Sequence, residues 1–426
     1  MGTTSCPVAV RIVDIAQPLA PVEGIERYSR VRVFVREGSA LVGSVDIWTY
    51  GAPAVSVPRL KDEIASALAT AFYRVRLGQQ LSGKLPPPPK LPPSTISIVL
   101  PTCDRGPDLR RCLASLTRQR TRHTIEIIVV DNRPASGTAR SVVQDFPAVR
   151  LVTEDRPGLS YARNRGIAES NGTIIVTVDD DVEAPDDWIE RLVEPFSRSE
   201  IMAVTGHVLP MELESEAQCQ FEAYGGLGKG FEPFEADGRW FAGRQVAVPT
   251  WTLGATANAA FRASIFADPR IGLLDEALGA GMPTGCSEDT YLFYRILKAG
   301  GTLVYQPSAY VWHRHRESMR SLRRQIYAYS KGHVAYHLTT WLRDGDRRAL
   351  VRLFYSLPKT YARRGWLRVR RRSDYPLRLL ALEVLGNLAG PIALWQARRR
   401  VRRLGRSRLP ATQQRNDAVY LEGQIT

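Results

Sequence analysis

Residues 95–132 read TISIVLPTCDRGPDLRRCLASLTRQRTRHTIEIIVVDN. TISIVLPT (95–102) and IEIIVVDN (125–132) are near-continuous apolar runs, as expected of strands covered on both faces, and DLRRCLASLTRQ between them has helical spacing. The alternation continues through GTARSVVQDF, VRLVTE, GLSYARNRGIAESN and GTIIVTVDDD as helix, strand, helix, strand. Such alternation predicts an α/β fold with a mostly parallel sheet and helices on both sides, in which ligands bind beyond the carboxyl ends of the strands. Thr102, Asp104, Arg105, Asp131, Asn132 and Asp179–Asp181 all fall at such ends.

In TIIVTVDDDVEAPDDW (173–188) a β-branched run meets three consecutive carboxylates. Adjacent aspartates repel one another, and a row of them at a strand end needs a positive partner. If the strand stays extended, Asp179 and Asp181 point to one side and Asp180 to the other. That pair suits a hard divalent cation, which takes oxygen ligands and often arrives with phosphates. A solvated acidic turn before a helix is the plainer alternative, since APDDW also supplies Pro and Asp at a helix start.

At 426 residues the chain is long enough for two or three domains, and 44% hydrophobic with 24% charged residues argues against wholesale disorder. The strands VAVRIV, RVRVFVR and ALVGSVDIW and one helix predict a small β-rich N-terminal module over residues 1–80. LSGKLPPPPKLPPS (81–94) is a stiff linker, followed by the α/β domain (95–320), a basic helical region (321–410) and a tail (411–426). The five cysteines are scattered without metal-binding spacing and read as reduced thiols of a cytoplasmic protein. The N-terminus has no basic segment leading into a long apolar run, so no secretory leader is expected.

The ordered motifs SIVLPTCDR, IIVVDN, RPGLSYARNRGIAESNG, VTVDDDVEAP, WTLGATANAAFRAS, GCSEDTYLFYRILKAGG and VWHRHRES resemble those of family 2 glycosyltransferases, inverting enzymes of the GT-A fold. PTCDR and VVDNRP depart from the family's more usual Asn-Arg and Asp-Asp-Gly-Ser. The resemblance implies transfer of a sugar from a nucleotide-sugar donor to a glycan or lipid-linked acceptor. It implies that the DxD carboxylates Asp179 and Asp181, with His313, hold Mg²⁺ or Mn²⁺ against the donor diphosphate; His315 and Arg316 are neighbouring alternatives to His313. Asp180 is expected near the ribose or sugar, Asp104 and Asp131 at base and ribose, and Thr102, Arg105 and Arg163 also on the donor. The resemblance makes Asp289, beside Glu288, the general base; a capping pair for the helix is the plainer alternative. Arg163 has a surface-arginine alternative. Trp251, Gly254 and Asn258 are expected on the acceptor side, where Trp251 serves as a sugar platform or as core. YGGLGKG (224–230) lacks P-loop spacing and reads as a loop over the donor.

The net charge of +15 is concentrated in the C-terminal region, where 23 Lys or Arg face four Asp or Glu between Arg320 and Arg408. The apolar segment 379–395, interrupted by Glu383, Asn387 and Pro391, is too short to span a bilayer. Flanked by arginines, it suits an anionic membrane interface, placing the protein peripherally at the inner face of the cell membrane; a basic helical bundle is the alternative. A nucleic-acid partner is not expected, because the acidic clusters would repel phosphates. The other competing functions are a metal-dependent nucleotidyltransferase and an inactive GT-A-like binding protein.

Overall fold

The computed structural model describes residues 6–82, 91–370, 372 and 375–410. Most of the proline-rich linker and the whole 411–426 tail lie outside these. The N-terminal elements are β1 (Val8–Asp14), β2 (Val22–Glu23), β3 (Arg30–Glu37), β4 (Ala40–Trp48), β5 (Ala54–Val55) and helix α1 (Val57–Ser82). Strands β1, β3 and β4 form a three-stranded sheet around a core of its own, built on Val31, Val33, Val45, Ile47 and Leu60.

The α/β region runs β6 (Thr95–Thr102), α2 (Gly106–Leu116), β7 (Thr124–Asp131), α3 (Thr138–Val143), β8 (Val149–Thr153), α4 (Leu159–Glu169) and β9 (Ile174–Val178). It continues with β10 (Val182–Glu183), α5 (Trp188–Val193), β11 (Ile201–Pro210), α6 (Glu216–Tyr224), β12 (Phe234–Ala236), α7 (Gly238–Ala242), β13 (Asn258–Arg262), α8 (Glu288–Lys298) and β14 (Thr302–His313). These strands make one nine-stranded sheet in the order β10-β14-β11-β13-β9-β6-β7-β8, with β12 on β14.

Strands β8, β7, β6 and β9 are parallel, as the alternation implies. Beyond β9 the sheet is mixed: β13 runs antiparallel to β9 and β11, β11 and β14 are parallel, and β10 and β12 are antiparallel to β14. Apolar clusters cover both faces. Leu109, Leu113 and Trp188 pack on one, and Ala162, Ile167, Leu292 and Phe293 on the other. Every residue of β6 from Ile96 to Thr102 is buried, and each fully buried Ile, Val or Leu contributes roughly 1.5–3 kcal/mol. After β8 the chain returns to the far side of β6, so the topological switch falls between β6 and β9. This is where an open α/β sheet leaves a crevice.

The C-terminal helices are α9 (Met319–Asp344), α10 (Arg348–Val351), α11 (Leu357–Val369) after a single π turn, and α12 (Leu377–Leu404). The apolar helix is longer than the segment 379–395. At 28 residues α12 is long and apolar enough, by length and composition, to cross a membrane. One face packs closely on α9, where a Cβ on Gly386 or Gly390 would come within 2.7 Å of Ser330 or 2.6 Å of Val334. Glu383 is wholly buried there and is held by Arg364 (3.1 Å) and the Tyr361 hydroxyl (2.9 Å). The opposite face leaves Leu385, Leu388, Ile392 and Trp395 more than half exposed.

The reduced-thiol reading fails for two cysteines. Cys6 and Cys219 form a disulfide, with Cα atoms 6.4 Å apart, tying the N-terminal strand to α6. Their separation of 213 residues hides the pairing, because the partners meet only once the N-terminal module docks through Val8 N–H to the Leu213 carbonyl. Cys103, Cys112 and Cys286 are free. Thiol titration of the unfolded, unreduced protein should therefore find three thiols; a count of five would contradict the bond.

Candidate active site

The carboxyl ends of β6, β7 and β9 open into a cavity of about 1050 Å³ lined by Thr102, Arg105, Arg163, Asp179–Asp181, Glu288, Asp289 and His313, among others. Strand β9 stops at Val178 and the aspartates form a turn, so the alternation expected of an extended strand does not apply. Asp179 faces Arg163, whose Nη2 lies 2.6 Å away. Asp180 accepts from the Thr102 hydroxyl at 2.7 Å and lies 3.3 Å from Arg105, while Asp181 also pairs with Arg105. Thus the side chains divide as Asp179 against Asp180 and Asp181.

Register places His313 beside this turn. Val182 pairs with His313 across β10 and β14, and the Arg314 N–H donates to the Asp181 carbonyl at 3.0 Å. His313 Nε2 consequently stands 3.3 Å from Asp181 Oδ1, a buried oxygen with no hydrogen-bond partner. Burial raises the Asp181 carboxyl, but His313 and Arg105 outweigh it and hold the group well below its ordinary value. Asp180 goes the other way: burial dominates over Arg105 and pushes it up to about 7.

Arg163 is only 1% exposed, which excludes the surface alternative. Its guanidinium bridges Asp179 and, at 2.8 Å, Glu288. Two carboxylates from separate elements compensate the burial of this charge. Burial, with nearby Asp289, raises Glu288 to about 7 even against Arg163. Asp289 accepts from its neighbour Thr290 through the backbone N–H (2.6 Å) and hydroxyl (3.1 Å), so it engages the helix start while lining the cavity. Ser287, which precedes the helix, makes no capping bond.

Other expected residues stand differently. Asp104 pairs with Arg133 at 2.7 Å, and Asp131 accepts from the Arg133 N–H at 2.9 Å. Neither lines the cavity; Cys103 and Asn132 do. Asn258 is not an acceptor contact. It is fully buried, its amide donates to the His207 and Ala309 carbonyls, and its oxygen accepts from the Trp188 indole, so its polar groups serve the sheet. Gly254 lines the cavity, but its φ of +123° and a Cβ position 2.4 Å from Thr205 show that the close approach is to Thr205. Trp251 lines the cavity while packing edge-on against His333, with ring centroids 4.9 Å apart. His315 lies behind His313 and away from the cavity, whereas Arg316 lines it.

Residues that the motifs did not reveal come from two places. Lys229 of the YGGLGKG loop projects into the cavity wall, where burial pulls its ammonium down from its ordinary value and Asp289 opposes the shift. Beyond Trp251 the cavity continues between the C-terminal helices, along Tyr329, His333, Arg352 and Arg364.

Among the described residues no three His, Cys, Asp or Glu side chains form a ready-made metal cage. The unpartnered Asp181 Oδ1 facing an imidazole nitrogen nevertheless fits a cation that takes its remaining ligands from substrate phosphates and water. An oxygen and nitrogen donor set suits Mn²⁺ better than Mg²⁺.

Residues 97–267 match the family model described as glycosyl transferase family 2. This part of the chain is a family 2 glycosyltransferase domain. Similar curated proteins include glycosyltransferase AglE of Haloferax volcanii, 31% identical over 118 residues covering 26% of this chain and 39% of that protein. A pre-mycofactocin glycosyltransferase of Mycobacterium tuberculosis is 27% identical over 272 residues, 62% of this chain and 50% of that one. The chain thus spans half or less of these relatives' length. A mannosyltransferase from Pyrobaculum calidifontis, solved with GDP-Man and Mn²⁺, aligns over 85% of this chain and 90% of its own at 16% identity and a TM-score of 0.41. That value is too low to support residue-level comparison.

The raised Glu288 group ties stability of the glycosyltransferase domain to pH. Its unfolded carboxyl ionises near the ordinary value and its folded one near 7, so the folded state binds the proton more tightly across that interval. Stability from this group is therefore lost as pH rises from about 4.5 to 7. The melting temperature of Glu288→Gln relative to wild type should be higher at pH 8 than at pH 5; a difference constant with pH would contradict the burial effect.

Proposed function

We propose that this chain is an inverting glycosyltransferase that moves a sugar from a nucleoside diphosphate donor to an acceptor hydroxyl. The observation that carries the reading is the convergence on one cavity of the Asp179–Asp181 turn, His313, the buried Arg163, the half-buried Arg105 and the Glu288–Asp289 pair. A nucleic-acid-binding protein has no use for this carboxylate set, and an inactive scaffold has no need to keep it.

In this reading Thr102, Cys103 and Asn132 receive the nucleoside end of the donor, in the crevice where the sheet topology switches, with Asp180 near the ribose or sugar. Arg105 and Arg163 turn toward the diphosphate, where a planar guanidinium matches phosphate oxygens. Asp181 and His313, with Asp179 alongside, would hold a divalent cation, which when bound offsets the charge that builds on the departing diphosphate. Asp289 accepts the proton of the attacking hydroxyl, and Glu288, tied to Arg163, fixes the position of the helix start. Trp251 and the residues beyond it form the acceptor side. Apart from its cavity wall, the C-terminal region presents the exposed apolar residues of α12 beside arginines such as Arg399 and Arg403. This face suits an anionic membrane surface carrying a lipid-linked or glycan acceptor, with the enzyme peripheral at the inner side of that membrane.

A second acceptor reading has one observation in its favour. Of the relatives named above, the one aligned over the longer stretch is a pre-mycofactocin glycosyltransferase, so in this second reading the acceptor is pre-mycofactocin.

Turnover should be measured with UDP-, GDP- and dTDP-sugars in Mn²⁺, Mg²⁺ or chelator. One donor should be used, with release of its nucleoside diphosphate stimulated by metal. Asp289→Asn should lower kcat by roughly 10²- to 10⁴-fold while donor binding persists, and Asp181→Ala should lose the metal stimulation. Failure to bind any donor under any metal condition would contradict the reading. Sedimentation with anionic vesicles distinguishes the two readings: binding weakened by Leu388→Glu favours the membrane-borne acceptor, and no binding favours the second reading.

A further inference from the structure

His313 does not stand alone behind the cavity. Its Nδ1 lies 2.9 Å from Nδ1 of His315, and Nε2 of His315 lies 2.8 Å from Oε1 of Glu222 on α6. The other Glu222 oxygen is 3.2 Å from the Arg32 guanidinium on β3 of the N-terminal module, and Arg32 is itself fixed by Asp46 at 2.8 and 3.0 Å. The line runs from the N-terminal sheet to the cavity through one carboxylate and two imidazoles. The His315 side chain is fully buried and packs edge-on against Phe221, with ring centroids 4.9 Å apart.

The order of donors and acceptors along this line determines what His313 presents to the cavity. A carboxylate can only accept, so Nε2 of neutral His315 carries the hydrogen and its Nδ1 carries a lone pair. That lone pair must accept, so Nδ1 of His313 donates in either charge state, and in the neutral, metal-binding form of His313 Nε2 is left with a lone pair. This nitrogen is the one that faces Asp181 Oδ1, itself without a hydrogen-bond partner. In that form Nε2 and Oδ1, 3.3 Å apart, can share a cation in place of the proton that pairs them without one.

We propose that Glu222 and His315 are positioning residues that set the tautomer and orientation of His313 for metal binding, and that Arg32 anchors them from the N-terminal module. The inference rests on the metal site of the proposed function and extends it: the N-terminal module helps to build the catalytic site as well as packing against it. Hydrogen-bonded partners behind a ligating histidine raise its basicity and hold its ring, and their loss typically weakens metal affinity by about 10- to 100-fold.

The test is calorimetric titration of the full-length protein with Mn²⁺, alone and with UDP or GDP. Urea unfolding of each variant serves as the structural control. Glu222→Leu and His315→Phe should weaken Mn²⁺ binding by about 10- to 100-fold, with nucleotide binding in chelator unchanged. Glu222→Gln, which retains an accepting oxygen, should fall between these and wild type, and Arg32→Ala should show a smaller loss in the same direction. In a His313→Ala background the same substitutions should cause no further loss. Unchanged Mn²⁺ affinity in Glu222→Leu and His315→Phe, or equal losses with and without His313, would overturn the relay while leaving the proposed function standing. Absence of Mn²⁺ binding by the wild type would instead remove the metal site on which both depend.

Discussion

Five carboxylates, Asp179, Asp180, Asp181, Glu288 and Asp289, share one cavity at the carboxyl edge of the sheet, and the surrounding structure keeps their mutual repulsion in check. Arg163 takes Asp179 and Glu288, whereas Arg105 takes Asp180 and Asp181. Removing one partner of a buried pair costs about 3–5 kcal/mol, because the other charge is left uncompensated. Arg163 therefore couples the strand end at β9 to the start of α8, elements far apart in the chain. The residual imbalance appears where burial wins: Asp180 and Glu288 are both pushed up to about 7. A site this rich in negative charge is prepared for a cationic or phosphate-bearing partner, with the arginines able to exchange carboxylate for phosphate.

The mixed half of the sheet supplies what the parallel half lacks. Strands β6 to β9 present backbone turns and carboxylate oxygens, but Asp181 is faced by an imidazole that arrives on β14, the last strand in chain order. The short antiparallel pairing of β10 with β14 sets that juxtaposition. Behind it, β3 of the N-terminal module reaches Glu222 through Arg32, and a disulfide holds the same module to α6. The C-terminal helices close the other end, extending the cavity past Trp251 to His333 and Arg352. The C-terminal helices thus share the cavity with the α/β region, and the N-terminal module stands behind it, bonded to α6.

Much of this was legible in the amino-acid sequence, and the misses have physical causes. The strand and helix order from Thr95 to Asp181 follows from period and apolar runs, which are local properties. The order also pointed to the strand ends where Thr102, Arg105 and the three aspartates line the cavity. Expecting an extended strand through Asp181 failed because β9 stops at Val178, and a turn sets side-chain direction by hydrogen bonds and ion pairs instead of by alternation. Asn258 looked available because amides suit sugar hydroxyls, yet its three partners come from three different segments, none apparent from WTLGATANAAFRAS. The Cys6–Cys219 bond and the Arg32–Glu222 contact are likewise long-range. For α12 the interruptions at Glu383 and Asn387 obscured a continuous helix, because burial of Glu383 depends on Arg364 and Tyr361 from α11.

The central claim is that a divalent cation belongs between Asp181 and His313. Crystals of the protein grown with Mn²⁺ and a nucleoside diphosphate, with anomalous scattering recorded at the manganese edge, test it most directly. The expected result is one anomalous peak within bonding distance of the Asp181 carboxylate and Nε2 of His313, in contact with the diphosphate. Nucleotide bound with no such peak, or a peak elsewhere while His313 still faces a bare Asp181, would contradict it.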